Sequence, residues 1–167
     1  DTSDGSVGIA AAIGINLATS STQALVGAGT TLSATGALTL NATANTDASA
    51  KADGSAVDGS LLTGVGVAVA INDADAVNTA KVGTGADVTA SGVTLDAGMR
   101  DVSGDTTHAF GADAKSGAGA TNLGVAGSFA LNKVANTSEA VIESGAVVDS
   151  GFGATALSSS NTSTSTS

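Results

Sequence analysis

The chain contains no cysteine, proline, tryptophan or tyrosine, and its only aromatic residues besides one histidine are three phenylalanines. Without cysteine there is no disulfide scaffold, no thiolate nucleophile and no Cys-based zinc site. One His, one Arg and two Glu leave little material for acid–base catalysis, so no enzyme is expected and no catalytic or cofactor-binding residue is assigned. The five cations, Lys51, Lys81, Arg100, Lys115 and Lys133, are scattered, and the net charge is −10. A nucleic-acid binder needs clustered Lys and Arg, so that class is excluded. No run of 18 apolar residues occurs, which excludes a transmembrane helix, and a membrane barrel lacks its Tyr and Trp girdles. No initiator Met, basic segment or apolar leader opens the chain, so it reads as an excerpt of a longer protein or a processed subunit.

Small residues fill the space the others leave. Ala, Gly, Thr and Ser together account for 100 of 167 residues. Such composition often fails to offset ordering entropy and stays disordered. A mean hydropathy of +0.30 and patterned apolar positions oppose that reading for residues 1–157. The Ser/Thr-rich run 158–167 is expected to be disordered or the continuation of a longer chain.

The pattern is an internal repeat. Gly8–Asn16 aligns with Gly64–Asn72 and then with Gly124–Asn132, at offsets of 56 and 60 residues. The match continues through Ala24, Ala80 and Ala140, and through Leu32, Val88 and Val148. Residues 1–157 thus form a single repetitive unit, with repeats at 8–63 and 64–123 and a truncated third at 124–157. Within each repeat the period is two: Val65, Val67, Val69 and Ile71 alternate with Gly66, Ala68, Ala70 and Asn72. Ala favours helix, but interleaved Gly and β-branched residues at period two favour strand. The expected fold is all-β, a repetitive β-solenoid (parallel β-helix) with sequence repeats of 56–60 residues.

Three finer expectations follow. A repeat this long should divide into three coils of about 19–20 residues, or two of about 28–30. Asn16, Asn72 and Asn132 would then lie roughly 10–15 Å apart, too far to form a ladder, each serving its own strand end. The large aliphatic row should face the core. The small row, Gly66, Ala68 and Ala70, should be a face that packs against another sheet, within the chain or on a second copy.

The blocks Gly64–Asn72, Asn78–Val82 and Ala86–Ala97, with counterparts in 8–44 and 124–157, resemble the repeats of giant secreted bacterial filamentous adhesins. The likeness is to the leukotoxin type and, more loosely, to filamentous haemagglutinins. It implies a β-solenoid shaft outside the cell or on its surface, acting as stalk, adhesin or biofilm-matrix fibre. It implies no catalytic residues. The expected function is structural, with self-association through coil ends and small-residue faces.

The remaining polar residues give weak signals. Asn72-Asp73-Ala74-Asp75 suggests an acidic turn at a strand end, and Asp73 with Asp75 is the one Ca²⁺ candidate. The first and third repeats carry Leu17 and Lys133 at the Asp73 position, so a solvated turn is the preferred reading and no cofactor is assigned. His108 reads as a loop or surface histidine. Asp4-Gly5, Asp53-Gly54 and Asp58-Gly59 read as turns. The segment 99–108 is the most varied in side chains, and motivates an alternative function: a module binding host or cell-surface receptors or glycans through that loop.

Overall fold

The structure is a computed structural model that describes residues 7–167; the Asp4-Gly5 turn lies outside the described residues. It is all-β. A 20-residue strand, β1 (Val7–Val26), is followed by β2 (Thr31–Ser33), β3 (Leu38–Ala44) and β4 (Ala48–Ala56). The same series recurs as β5 (Thr63–Val82), β6 (Asp87–Thr89), β7 (Val93–Met99) and β8 (His108–Ala118), and again as β9 (Leu123–Ile142), β10 (Val147–Asp149), β11 (Thr155–Ser159) and β12 (Ser163–Thr166). Four three-stranded parallel sheets result, in the orders β1-β5-β9, β10-β6-β2, β11-β7-β3 and β12-β8-β4. The chain therefore lays down three layers, each visiting all four sheets. Among the described residues no helix is long and apolar enough to cross a membrane.

Residues that align in sequence are hydrogen-bonded neighbours in space: Gly8 pairs with Gly64 and Gly64 with Gly124. The expectation of two or three coils per repeat is overturned by this register. One 20-residue wall needs an opposing wall of similar length, which β3 and β4 supply together, so one pass consumes the whole 56 residues between Val7 and Thr63. The run 158–167 does not leave the pattern. Ser158 and Ser159 pair with Asp96 and Ala97, and Ser163–Thr166 pairs with His108–Gly111.

The space between the walls tapers. At the wide end, beside β2 and β6, Val26, Val82, Val88, Val93 and Leu95 form a core of ordinary aliphatics. Further along, the core is alanine alone: Ala50, Ala52, Ala68, Ala70 and Ala112. At the narrow end the walls meet backbone to backbone. A Cβ on Gly66 would overlap the Gly117 carbonyl and sit 2.7 Å from the Gly54 carbonyl oxygen. Gly54 faces the Val67 carbonyl in the same way. It lies inside β4, so Asp53-Gly54 is not the turn expected, whereas Asp58-Gly59 is one, with the Asp58 carboxylate accepting from Ser60 N–H at 2.9 Å.

This geometry reverses the expected orientation of the long strands. All even positions of β5 except Gly64 and Gly66 carry Ala, Asn or Val, and all even positions are buried; Val65, Val67, Val69 and Ile71 point outward. Hydrophobicity alone would put Val and Ile inside, but walls this close leave no volume for them. The turn after each long strand is fixed by one glycine in left-handed conformation, Gly29, Gly85 and Gly145 at φ of 63°, 65° and 71°. These turns stack as well, Gly29 N–H donating to the Thr84 carbonyl at 2.9 Å.

Candidate functional site

The outward face of the long sheet is the most unusual surface of the molecule. Over positions 7–15, 63–71 and 123–131 the outward side chains include no charged residue. Ile13 is 73 % exposed, Leu17 77 % and Phe129 54 %. The rows are aligned by the parallel register: Ile9, Val65 and Val125 stand in one column, Ile13, Val69 and Phe129 in another, Ile15, Ile71 and Leu131 in a third. Contiguous exposed apolar patches of this kind mark an interaction surface.

The block has a sharp polar border. In the next columns Asp73 and Asp75 follow Ile71, and Lys133 beside Asp73 closes an ion pair at 2.9 Å. The Ca²⁺ candidate residues are thus placed mid-strand in β5, not in a terminal turn, and an ammonium group already neighbours the Asp73 carboxylate. Among the described residues no group of three or more His, Cys, Asp or Glu side chains converges as a metal site.

Gly66, Ala68 and Ala70 lie inside the molecule, facing β4 and β8 of the same chain. Ala68 and Ala70 are fully covered. Of the two packings expected for this face, the one within the chain is found, and these residues offer no surface to a second copy.

The three aligned asparagines, also inward-facing, do form a ladder. Asn16 Nδ2 donates to Asn72 Oδ1 at 2.7 Å, and Asn72 Nδ2 donates to Asn132 Oδ1 at 2.8 Å. Asn72 also reaches across the gap to the Ala48 carbonyl at 3.2 Å, as Asn132 does to that of Thr166 at 3.2 Å. The expected 10–15 Å separation fails because neighbouring layers are one whole repeat apart. Recurrence of Asn at the same inward position of all three rows, after a run of Gly, Ala and Ser, was the signal for this row.

His108 is fully buried at the start of β8, not on the surface. Its Nδ1 accepts from Thr46 N–H at 2.8 Å, which fixes the proton of the neutral ring on Nε2, and its ring lies 5.9 Å from that of Phe110. The loop after β7 lies close to where sequence placed it, within 99–108. Ala97 and His108 are separated by ten residues, whereas their third-layer partners Ser159 and Ser163 are separated by three. Likewise ten residues separate Met99 and Phe110, and three separate Ala44 and Ala48. The loop is therefore a seven-residue insertion peculiar to the second layer. Asp101 accepts from Gly104 N–H at 2.6 Å and Asn45 donates to the Asp105 carbonyl at 3.1 Å, which ties the loop to the first layer.

Carboxylates elsewhere act as staples between turns. Glu143 accepts from the Thr84 hydroxyl at 2.7 Å, the Thr84 N–H at 2.9 Å and Lys81 at 3.0 Å. The Thr84 hydroxyl first, then Lys81 and the Thr84 amide, hold its carboxyl below the ordinary glutamate range. Comparison with protein families, with characterised proteins and with solved structures finds no match.

Proposed function

We propose that the chain is a segment of an extracellular structural fibre, stalk or matrix of adhesin type, built as a β-solenoid of one coil per sequence repeat. The observation that carries this reading is the in-register parallel pairing of every strand with its counterpart in the neighbouring layer. A fold of that kind lengthens by one strand spacing, about 4.8 Å, with each repeat added, and needs no new architecture to do so. The interior supports a mechanical role, since over residues 50–54, 66–70 and 112–117 its walls touch through Gly and Ala.

Chains carrying one, two and three extra copies of residues 64–123 test the reading by small-angle scattering. The expected result is a constant cross-section and about 4.8 Å of added length per copy. A cross-section that grows with copy number would overturn it. Antibody raised against the chain should decorate filaments outside the source cells by electron microscopy; purely internal labelling would overturn the location.

The loop 100–107, which carries the seven-residue insertion, favours a second reading, a receptor- or glycan-binding module, because a loop confined to one layer adds side-chain variety that packing does not require. Binding of the chain to a glycan array, lost on deletion of residues 100–106, would support it.

A further inference from the structure

We propose that the outward apolar block of the long sheet is a pairing surface for a second copy of this chain, packed face to face about a two-fold axis that runs along the stacking direction. The proposal rests on the fibre reading above and names its lateral contact. Residues 7–17, which take in the Leu17–Asp73–Lys133 column at one end, span about 33 Å and three strands cover about 14 Å, so the face presents a footprint of about 450 Å². An apolar sheet face is matched in shape by another apolar sheet face, the packing of β-sandwiches. Two such footprints give about 900 Å², in the range of weak specific interfaces, and each added layer contributes about 160 Å² per copy.

Charge argues against one other occupant and sets the orientation. A net charge of −10 disfavours an anionic bilayer as the covering surface; it opposes a second copy as well, so the apolar contact has to carry the pairing. With the axis along the stack, each layer faces its equivalent with strand direction reversed. Ile9 then lies opposite the partner's Ile15, and Val65 opposite the partner's Ile71. Asp73 falls opposite the partner's Thr63, whose hydroxyl can donate to it, and Asp75 falls beyond the partner's edge in solvent. With the axis along the strands, Asp73 would face the partner's Asp73, a like-charge contact that costs affinity. The Asp73–Lys133 pair thus stands at the end of the overlap, with Lys133 opposite the partner's Leu123.

Sedimentation of the chain as it stands should show monomer–dimer exchange with a dissociation constant on the order of 10–100 µM. Val67→Asp should weaken dimerisation at least tenfold with an unchanged circular-dichroism spectrum and an unchanged scattering cross-section. Thr39→Asp, on the opposite wall, should leave dimerisation as it was. A chain that stays monomeric at millimolar concentration overturns the proposal, as does a dimer that survives Val67→Asp. A monomer that floats with phosphatidylcholine vesicles would assign the block to lipid and overturn it too. Since the native chain has no cysteine, orientation is read by cross-linking. A mixture of the Val65→Cys and Ile71→Cys variants should form a mixed disulfide. Val65→Cys cross-linking equally well to itself would overturn the reversed arrangement. Length per added repeat is unaffected by Val67→Asp, so loss of pairing and failure of the fibre reading are separate results.

Discussion

At Gly66 a hydrogen in place of a methyl group sets how closely two walls approach. A Cβ there would overlap the Gly117 carbonyl, backbone that has no rotamer to yield. Gly66→Ala is expected to cost about 1–3 kcal/mol of stability by overpacking. Gly127 occupies an outward position in β9, where an added Cβ meets nothing within 4 Å. Gly127→Ala should be neutral or stabilising by up to about 1 kcal/mol, since it removes only unfolded-chain freedom. Urea denaturation of the pair checks both; equal effects would contradict the account. The alternation that produces this contrast was legible in the sequence, but its sense was not. Val65 and Val67 carry the larger transfer energy, so a hydrophobic ranking places them inside. The deciding quantity is the volume between walls, which depends on a contact between Gly54, Gly66 and Gly117 that no local pattern displays. His108 was hidden for a similar reason: its burial follows from the β3–β4 corner closing over it through Thr46.

Whole elements differ in how firmly their layers hold together. The turn after β9 is fastened to the turn after β5 by Glu143, whose carboxylate takes three donors from Lys81 and Thr84. Its proton affinity is depressed in the folded state, so this staple is fully formed above the unfolded value. It is lost as pH falls through the lower, folded value. The protection factor of the Thr84 amide, its exchange relative to the intrinsic rate at each pH, should therefore fall in acid below glutamate's ordinary 4.5, and Glu143→Gln should abolish most of that pH dependence. The insertion within 100–107 is the converse case, an element the fold does not require. Deleting residues 100–106 restores the short connection of the other layers and should shift Tm by only a few degrees. A cooperative loss of β8 would instead show that the loop supports the strand. The loop itself was readable as a departure from low complexity, whereas its tie to Asn45 was not, because the two meet only across layers.

For the molecule as a whole, stability is expected to add layer by layer. Each interior layer has neighbours on both sides, as β5–β8 do, while β9 is largely exposed along its first half. Additional copies of residues 64–123 should raise the urea midpoint with each copy and then level off, as nearest-neighbour coupling requires. A midpoint independent of copy number would contradict it. The repeats themselves were plain in the sequence, but the number of passes per repeat was not, because strand length shows only where the opposing wall is found. The asparagine row has a consequence at this scale. Every member donates in the same sense, Asn16 to Asn72 to Asn132. Turning the Asn72 amide over would point its oxygen at the Ala48 carbonyl, acceptor against acceptor, so the opposite wall forbids reversal. Backbone dipoles in a sheet largely cancel, but these side-chain dipoles sum along the axis. Each layer lengthens a one-way electrical column, and an assembly of many layers would align end for end in an applied field.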